Sequence, residues 1–556
     1  MENQHEAFFW QKNYPEGVPF DIDPGKYESL VDLFEETVEQ HNSKVAFDNF
    51  DKELTYAELE LYSRYFGAYL QQELGLKKGD AIAIQIPNLL QYPIALWGAL
   101  RAGLVVVNTN PLYTPREMEH QFKDAGVKAI LIYENFAYNL QTIVRNTDIE
   151  TVIVTGTGDM LGTLKGFIVN LVVRHVKKMV PKYHLPDAVS FKEVLDIGKK
   201  KTLNTIKPAA EDIAFLQYTG GTTGLSKGAM LTHRNIIAAL EGSTAWVKPV
   251  LPASGAIIVT ALPMYHIFAL TANCLLIFKL GGKNILITNP RDLPAFIKTI
   301  SKHRFNMISG VNTLFNAMLN HPDFGMINFD ELKVTLGGGM AVQDAVAQKW
   351  EEATGCPLAE AYGMTETSPG ITINPLDGNH RMSSIGLPFP STEVKIMSDE
   401  GVEVPHGEHG ELWVRGPQVM KGYWKNEAAT NEMFDGEWLK TGDIATVDDD
   451  GFFKIVDRKK EMILVSGFNV FPNEIENVIA MHPKVLEVGA IGIPDERSGE
   501  KVKVFVVKKD DSLTADEVIE FCKAQLTAYK VPKEVAFKAE LPKTNVGKIL
   551  RRKLKE

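Results

Sequence analysis

The sequence predicts an α/β protein. A large N-terminal domain of stacked, mainly parallel α/β subdomains and a small β unit precede a small α+β C-terminal domain. The chain has 556 residues, which is longer than a domain with a single hydrophobic core usually is. Its first third alternates strand-like and helix-period segments, and the pattern changes after Gly386 and again at the charged string 457–461. The composition, 45% hydrophobic and 23% charged, is typical of a globular protein.

The alternation in the first third predicts a parallel sheet with helices on its faces. Helices are expected at 54–74, 89–102 and 116–125, and strands at 80–86, 104–107 and 127–133. The same pattern returns from 212 to about 370, with apolar strands at 257–261, 284–287 and 333–336. Both stretches therefore belong to the large N-terminal domain.

After Gly386, short strands separated by glycine-rich turns predict a small antiparallel β unit that runs to 456. The charged string 457–461 is interpreted as a linker. Beyond it we expect a helix from Pro472, where proline suits a first helical position. The remaining predicted elements are strands at 485–493, 502–507 and 534–537 and a helix from Thr514. The predicted domains are 1–456 and 457–556.

The charge and the cysteines narrow the function classes. The formal net charge is -11, which argues against nucleic acid as the main partner because phosphate neutralisation needs a basic face. The three cysteines, Cys274, Cys356 and Cys522, are far apart and lack C-x-x-C spacing, so they predict no zinc site or disulfide framework. No secretory signal and no apolar run of membrane-spanning length is visible. We expect a cytoplasmic protein.

The segment 160–182 has apolar residues near helical spacing and basic residues mostly toward its C-terminal end. Such a basic amphipathic helix can lie on an anionic membrane surface. The alternative is a surface helix docked on the protein's own core with its lysines in water. The residues leave both interpretations open.

A loop rich in glycine and hydroxyl groups follows the predicted strand 213–218. It reads Tyr218-Thr219-Gly220-Gly221-Thr222-Thr223-Gly224-Leu225-Ser226-Lys227-Gly228. Glycines let backbone N–H groups turn toward anions, hydroxyls add donors and Lys227 adds a point charge. The loop matches neither the Walker A pattern nor G-x-G-x-x-G. A glycine-rich hairpin turn is the simpler alternative, but the hydroxyls and the lysine favour phosphate binding.

This loop resembles the signature of the adenylate-forming superfamily, which includes acyl-CoA synthetases, luciferases and nonribosomal peptide adenylation domains. Further similar motifs follow in the family's order. They are Met264-Tyr265-His266-Ile267-Phe268, Gly337-Gly338-Gly339-Met340, Tyr362-Gly363-Met364-Thr365-Glu366, Thr441-Gly442-Asp443, Asp457-Arg458-Lys459-Lys460, Ser466-Gly467-Phe468-Asn469-Val470 and Pro542-Lys543-Thr544-Asn545-Val546-Gly547-Lys548. Within the superfamily the sequence is most similar to bacterial long-chain fatty acid–CoA ligases, notably at 178–186, 466–474 and 544–552.

The resemblance implies the nucleotide contacts. Glu366 resembles the Mg²⁺ ligand, and Thr365 the donor to the α-phosphate of ATP. Asp443 is similar to the aspartate that accepts both ribose hydroxyls, and Arg458 adds a second ribose contact. On the residues alone, Glu366 is a carboxylate in the first turn of a helix and Asp443 a β-turn aspartate.

The adenine site is implied by the same resemblance. Tyr362 offers a ring face, and Gly338 and Gly339 let the backbone approach the adenine edge. The loop from Tyr218 to Lys227 is expected to hold and steer the departing pyrophosphate.

The remaining motifs imply the catalytic groups. Lys548 resembles the lysine that bridges the substrate carboxylate and ATP, although in a basic tail a solvated charge is the default. His266 matches a histidine near the acyl carboxylate; alone it would be a hydrogen-bonded core histidine. The resemblance also implies that the C-terminal domain is mobile, reorients about Asp457 and then brings Gly467 to where pantetheine passes.

The expected function is that of an AMP-forming long-chain fatty acid–CoA ligase, with ATP, Mg²⁺, CoA and a fatty acid as the small molecules bound. A fatty acyl-AMP ligase that loads an acyl carrier protein is the alternative within the enzyme class. A non-catalytic nucleotide-binding or lipid-sensing protein on the same fold is the alternative outside it. The expected location is cytoplasmic, with peripheral contact at the inner face of the membrane through 160–182; a homodimer is left open.

Overall fold

The computed structural model describes residues 8–219, 226–252, 255–495, 497–544 and 547–555. The strands within these residues form four sheets. In chain order they are β1 Val45–Asn49, β2 Lys52–Thr55, β3 Ala81–Gln85, β4 Val105–Asn108, β5 Val127–Tyr133, β6 Thr151–Thr155, β7 Val189–Ser190, β8 Ile213–Thr219, β9 Lys227–Thr232, β10 Ile257–Thr260, β11 Lys283–Leu286, β12 Met307–Gly310, β13 Val334–Gly337, β14 Leu358–Gly363, β15 Gly370–Ile373, β16 Leu387–Pro388, β17 Glu393–Met397, β18 Gly410–Arg415, β19 Phe434–Asp435, β20 Trp438–Val447, β21 Phe453–Arg458, β22 Ile463–Val465, β23 Phe468–Val470, β24 Val485–Asp495, β25 Gly499–Lys508 and β26 Glu534–Phe537.

The helices alternate with these strands through most of the large domain. They are α1 Leu30–His41, α2 Tyr56–Gln72, α3 Gln91–Arg101, α4 Pro115–Ala125, α5 Ala137–Ile143, α6 Thr163–Leu171, α7 Phe191–Gly198, α8 His233–Val247, α9 Ile267–Ala269, α10 Leu276–Lys279, α11 Leu293–Ile300, α12 Asn312–Leu319, α13 Asp344–Thr354, α14 Glu427–Met433, α15 Pro472–Ala480, α16 Ala515–Lys523 and α17 Arg552–Lys555. Short 3₁₀ turns occupy Phe9–Asn13, Glu134–Phe136, Val144–Asn146, Phe324–Met326 and Thr365–Thr367, and π-helical turns occupy Val172–Val176 and Leu270–Leu275.

The two large sheets are mainly parallel, which confirms the fold class predicted from the alternation. One has the order β7-β6-β5-β3-β4-β8-β9, with only the β8–β9 pair antiparallel. The other has the order β16-β15-β14-β13-β12-β10-β11-β1-β2 and is antiparallel only toward its two ends. Helices cover the faces, so a central strand such as β3 is buried at every residue.

The predicted helix at 54–74 begins slightly later than expected, because 52–55 pairs with β1 as an antiparallel strand. Thr55 then caps α2 in a capping box with Glu58. This helix crosses α3 closely at Gly67 and Gly98. A Cβ at Gly98 would lie 2.7 Å from the carbonyl oxygen of Ser63, so only glycine permits this crossing.

The β unit after Gly386 forms an antiparallel sheet of β17, β18, β20, β19 and β21, as predicted. One expectation was wrong in detail: Asp457 and Arg458, assigned to the linker, are the last two residues of β21 and pair with β20. The small α+β unit then has the sheet order β23-β22-β25-β24, with β26 parallel to β25 and the helices α15 and α16 against it. This places the end of β21 directly before the small unit.

The segment 160–182 is helical over less of its length than predicted. The helix α6 continues into the π-helical turn and ends at Val176, so the last lysines lie beyond it. Across the ranges that the structure describes, no helix combines the length and the apolar character needed to cross a bilayer.

Candidate active site

The glycine-rich loop joins two paired strands. β8 and β9 are antiparallel, and Thr219 at the end of β8 lies opposite Lys227 at the start of β9. Tyr218 is held by its hydroxyl, which donates a hydrogen bond to the carboxylate of Asp124 at 2.5 Å. Gly220, Gly221, Thr222, Thr223 and Gly224, which were predicted to bind phosphate, lie outside the described residues. The hairpin thus presents Thr219 and Lys227 side by side at the base of the loop.

Lys227 lies beside Tyr423, a residue that sequence reasoning missed. The segment around Tyr423 runs along β9, where Ala229 pairs with Tyr423 and the amide of Trp424 donates to the carbonyl of Gly228 at 2.8 Å. The Lys227 ammonium is 4.6 Å from the centre of the Tyr423 ring, within the range of a cation–π contact. No local pattern around Tyr423 identifies it, because only the fold brings these distant segments together.

Tyr423 holds Glu366. Its hydroxyl donates to Oε1 of Glu366 at 2.6 Å, and the amide of Met420 donates to the Glu366 carbonyl at 2.8 Å. Glu366 is only 5% exposed, in the 3₁₀ turn that follows β14. Burial raises the pKa of its carboxyl, while the Tyr423 hydrogen bond and the charges of Arg458 and Lys227 oppose that shift. Thr365 starts the same turn and is half-buried.

Asp443 is the centre of a second group. It lies on β20 opposite Arg458 on β21, and the Arg458 Nε is 3.3 Å from its Oδ1. The Tyr362 hydroxyl, at the end of β14, donates to its Oδ2 at 2.6 Å. Asp443 is buried, yet a carboxylate has about four lone-pair positions and keeps acceptor capacity for other donors.

Two glycines follow β13 near Tyr362. A Cβ at Gly338 would lie 3.0 Å from both the Ala361 carbonyl oxygen and the Phe268 ring, so close packing already requires a small residue there. Gly339 has a φ of +76°, which favours glycine. Close packing at Gly338 and backbone conformation at Gly339 therefore favour glycine at these two positions.

Lys548 enters the site from the C-terminal tail. A tight turn holds it: the Lys548 amide donates to Thr544 Oγ1 at 3.0 Å, and Gly547 has a φ of +86°. The turn docks on α12, where Thr313 Oγ1 donates to the Gly547 carbonyl at 3.0 Å. Burial, and then the charge of Arg458, lower the pKa of the Lys548 amine to about 8, although Glu461 and Asp443 oppose the shift.

His266 lies within range of the Lys548 charge. Its Nδ1 accepts a hydrogen bond from the Phe268 amide at 3.3 Å and caps α9. Burial and the nearby Lys548 charge lower the pKa of its imidazole to about 4, so the ring is neutral at pH 7.

Seven of the predicted residues are brought together by a continuous set of contacts and charge interactions: Lys227, Tyr362, Glu366, Asp443, Arg458, His266 and Lys548. Gly467 lies elsewhere, in the exposed turn between β22 and β23. It has a φ of +82° and open space where a Cβ would be.

The site thus joins Glu366, Asp443 and Tyr362 from the large domain with Lys548 from the C-terminal tail. The model of the AMP-binding enzyme family matches residues 34–424, and that of the AMP-binding enzyme C-terminal domain matches 474–548. The chain therefore belongs to the AMP-binding enzyme family, which confirms the resemblance found in the sequence.

Individual relatives show which members of the family the chain resembles. The chain is 56% identical over 549 residues to a long-chain-fatty-acid–CoA ligase of Escherichia coli O6:H1, covering 98% of each chain. It is 53% identical to the protein of that name from Haemophilus influenzae, again with 98% coverage of each. Among solved structures, the anthranilate CoA ligase AuaEII in complex with anthranoyl-AMP superposes with a TM-score of 0.86 at 25% identity, covering 96% of this chain and 98% of that one.

The pKa of Lys548 predicts a pH dependence. Because the amine of the free enzyme titrates near pH 8, its positive charge is present below that pH and is lost as the pH rises through it. The value of kcat/KM for ATP, measured by pyrophosphate release between about pH 6 and pH 10, should therefore fall above about pH 8. Lys548→Arg keeps its charge over this range and should lack that decline. A decline of the same midpoint in both proteins would contradict the assignment.

Proposed function

We propose that this chain is an ATP-dependent long-chain fatty acid–CoA ligase. The observation that carries the proposal is the position of Lys548, which the C-terminal tail brings within range of the charges of Arg458 and Asp443 and of the His266 ring. The relatives named above support the substrate class. The reaction has two steps: the fatty carboxylate and ATP give acyl-AMP and pyrophosphate, and the thiol of CoA then displaces AMP.

In the first step a carboxylate oxygen of the fatty acid attacks the α-phosphorus of ATP, and the bond to the bridging oxygen of pyrophosphate breaks. Two anions must approach one another, so cations near the α-phosphate stabilise the transition state. Lys548 supplies that charge from one side. The neutral ring of His266 can orient the fatty carboxylate without becoming a competing cation.

The nucleotide is held by the remaining residues. Asp443 accepts the ribose hydroxyls and is oriented by Arg458 and Tyr362, which already hold its two oxygens. The Tyr362 ring and the backbone at Gly338 and Gly339 receive adenine. Thr219, Lys227 and the loop between them steer the pyrophosphate, and Thr365 donates to the α-phosphate.

Glu366 fits the role of the Mg²⁺ ligand. Mg²⁺ is usually bound by one or two carboxylates together with substrate phosphates and water, and Glu366 is a buried carboxylate within range of the Lys227 charge. Its raised pKa reflects a carboxylate that burial leaves short of positive charge. When bound, Mg²⁺ would neutralise charge on the phosphates. Tyr423 keeps one oxygen of Glu366 in place.

In the second step the CoA sulfur attacks the acyl carbonyl, the thiol loses its proton and AMP leaves with the electrons of the carbon–oxygen bond. We assign residues 1–456 to the domain that binds nucleotide and acyl chain, and 457–556 to a mobile domain that reorients about Asp457. The turn at Gly467 then passes close to pantetheine. The open space at Gly467 and its positive φ are compatible with a backbone that a ligand approaches closely.

The proposed activity is tested directly with purified protein, ATP, Mg²⁺, CoA and saturated fatty acids of increasing length. Acyl-CoA should form most efficiently with long chains, and pyrophosphate release should depend strictly on added fatty acid. Acyl-AMP is measured separately. Transfer to a phosphopantetheinyl carrier protein in preference to CoA would overturn the proposal, as would nucleotide binding without any product.

The role of Lys548 is tested by Lys548→Ala. Loss of a preorganised cation should lower the rate of acyl-AMP formation on the order of a hundredfold or more, by analogy with loss of an oxyanion donor. Thioester formation from supplied acyl-AMP should stay close to that of the unchanged protein. Lys553→Ala is the matched control, because Lys553 is exposed in the same tail. Equal loss of both steps in Lys548→Ala would contradict the assignment.

We also propose that α6 contacts a membrane. Its inward face is built mainly from small and polar residues, with Val169 packed against the core: Gly166 packs against Gly158, and Asn170 Oδ1 accepts from the Gly158 amide at 2.7 Å. In the following turn, Arg174 pairs with the buried Glu134 at 2.7 Å. The large apolar side chains therefore point outward. Leu164 is 74% exposed and Phe167 65%, with Ile168 and Leu171 beside them.

The exposed apolar face of α6 is better suited to contact with a lipid surface than to contact with a second copy of the chain. Exposed lysines, Lys177, Lys178 and Lys182, lie just beyond it. A two-fold dimer through this patch would bring the same cationic cluster against itself, whereas anionic lipid headgroups complement it. The three cysteines are buried and free, which supports a reducing compartment and hence the inner face of the membrane.

Membrane contact is measured by sedimentation with vesicles of phosphatidylcholine containing about a third phosphatidylglycerol. Phe167→Glu should weaken vesicle binding about tenfold or more, since burying an aromatic side chain contributes roughly 1.5–3 kcal/mol. Val402→Glu is the control, because Val402 is similarly exposed outside this patch. A protein that ignores anionic vesicles, or that forms a dimer which Phe167→Glu breaks, contradicts the proposal.

A further inference from the structure

Arg551 lies shortly after Lys548 in the tail and is bound at several points at once. Its Nη1 contacts Asp457 at 3.2 Å and also Glu461, and its Nη2 contacts Glu476 at 2.7 Å. The Nε donates to the other oxygen of Glu476 at 2.9 Å, and Nη2 donates to the side-chain oxygen of Asn473. The side chain is only 12% exposed. A planar guanidinium held in this way has one position.

The partners of Arg551 come from different parts of the fold. Asp457 is at the end of β21, in the sheet that also carries Asp443. Glu476 and Asn473 are on α15 of the small unit, and Glu461 is in the connection between them. Arg551 therefore ties the tail both to the small unit's own helix and to the last strand before it.

Asp457 is itself firmly placed. It is 1% exposed, and its carboxylate accepts hydrogen bonds from the amides of Arg458 at 2.7 Å and Asn473 at 2.8 Å. Burial raises the pKa of Asp457 to about 6, against the attraction of Arg551. For Glu461 burial acts in the same direction, but Arg551 outweighs it and the pKa is lowered.

The carboxylates of Asp457, Glu461 and Glu476 thus converge on one guanidinium. Without Arg551 they would repel one another in a region with little access to water. That repulsion would act on the tail turn that carries Lys548 and on the junction at Asp457 together. Arg552, the next residue, is exposed and lies outside this group.

We propose that Arg551 is a positioning residue that locks Lys548 in its adenylating position by bonding the tail to Asp457. The inference rests on the proposed function and adds a release mechanism to it. The bonds to Asn473 and Glu476 lie within the small domain and move with it. The bond to Asp457 reaches the hinge, so it must break or turn when the domain reorients for the second step.

The test separates the two half-reactions in Arg551→Ala, Arg551→Lys and the control Arg552→Ala. Arg551→Ala should lower kcat for fatty-acid-dependent acyl-AMP formation between about tenfold and a hundredfold, because a displacement near 1 Å is enough for such a loss. The KM for ATP should change less than kcat, because Lys548 is one of several groups near ATP and its charge matters most in the transition state. Thioester formation from supplied acyl-AMP should be unchanged.

Arg551→Lys should recover part of the rate, because it restores the charge but not the fork, and Arg552→Ala should match the unchanged protein. Asp457→Asn is a second, milder variant that keeps the shape but removes the charge that Arg551 contacts and one of the two oxygens that accept backbone amides; it should slow acyl-AMP formation more than the thioester step.

The proposal is overturned if acyl-AMP formation is normal in Arg551→Ala and Asp457→Asn. It is also overturned if both half-reactions fall equally in folded protein, with folding checked by circular dichroism and the Tm. If the protein without substitutions releases no pyrophosphate with any fatty acid, the proposed function itself is overturned. The two failures are therefore distinguishable.

Discussion

The structure depends on a buried cluster in which cations from two parts of the chain are brought close together. Arg458 ends the last strand of the β unit, while Lys548 and Arg551 arrive with the C-terminal tail. Positive charges that lie close together in a poorly hydrated region repel one another strongly. They are held there because Asp443, Asp457, Glu461 and Glu476 are interleaved with them. The small unit is therefore held in position by these ion pairs as well as by packing.

The two large sheets place the other half of the site. Tyr362 lies near the end of β14 and the turn of Glu366 follows that strand, while Gly338 and Gly339 follow β13, so both groups lie at the carboxyl ends of neighbouring parallel strands. Ligands of open α/β sheets usually bind at this edge. Lys227 comes from the other sheet and reaches Glu366 through Tyr423. The candidate site is consequently built where the sheets and the small unit meet, and its described residues come from more than one subdomain.

The sequence predicted the elements whose signal is local. The periods of 127–133 and 534–537 match β5 and β26, and the motifs named nearly all of the described site. What it could not predict depends on tertiary contacts. Tyr423 lies beside Glu366 only because its segment runs along β9. Asp457 looked like a linker residue because charge is visible in a sequence and strand pairing is not. Helical spacing at 163–171 identified two faces of α6, but it did not reveal that the apolar face points outward.

The lowered pKa of Lys548 indicates that the observed orientation of the small unit is electrostatically unfavourable for the charged amine. In the free protein, burial and the charge of Arg458 disfavour the protonated amine in this position, so this orientation carries an electrostatic cost. The phosphates of ATP add negative charge beside Lys548 and remove that cost, and by linkage ATP favours the orientation that inserts the lysine. When pyrophosphate leaves after adenylation, much of that negative charge leaves with it. Under the proposed mechanism, the free energy that held Lys548 in place then falls at the point in the cycle where the domain reorients for the second step.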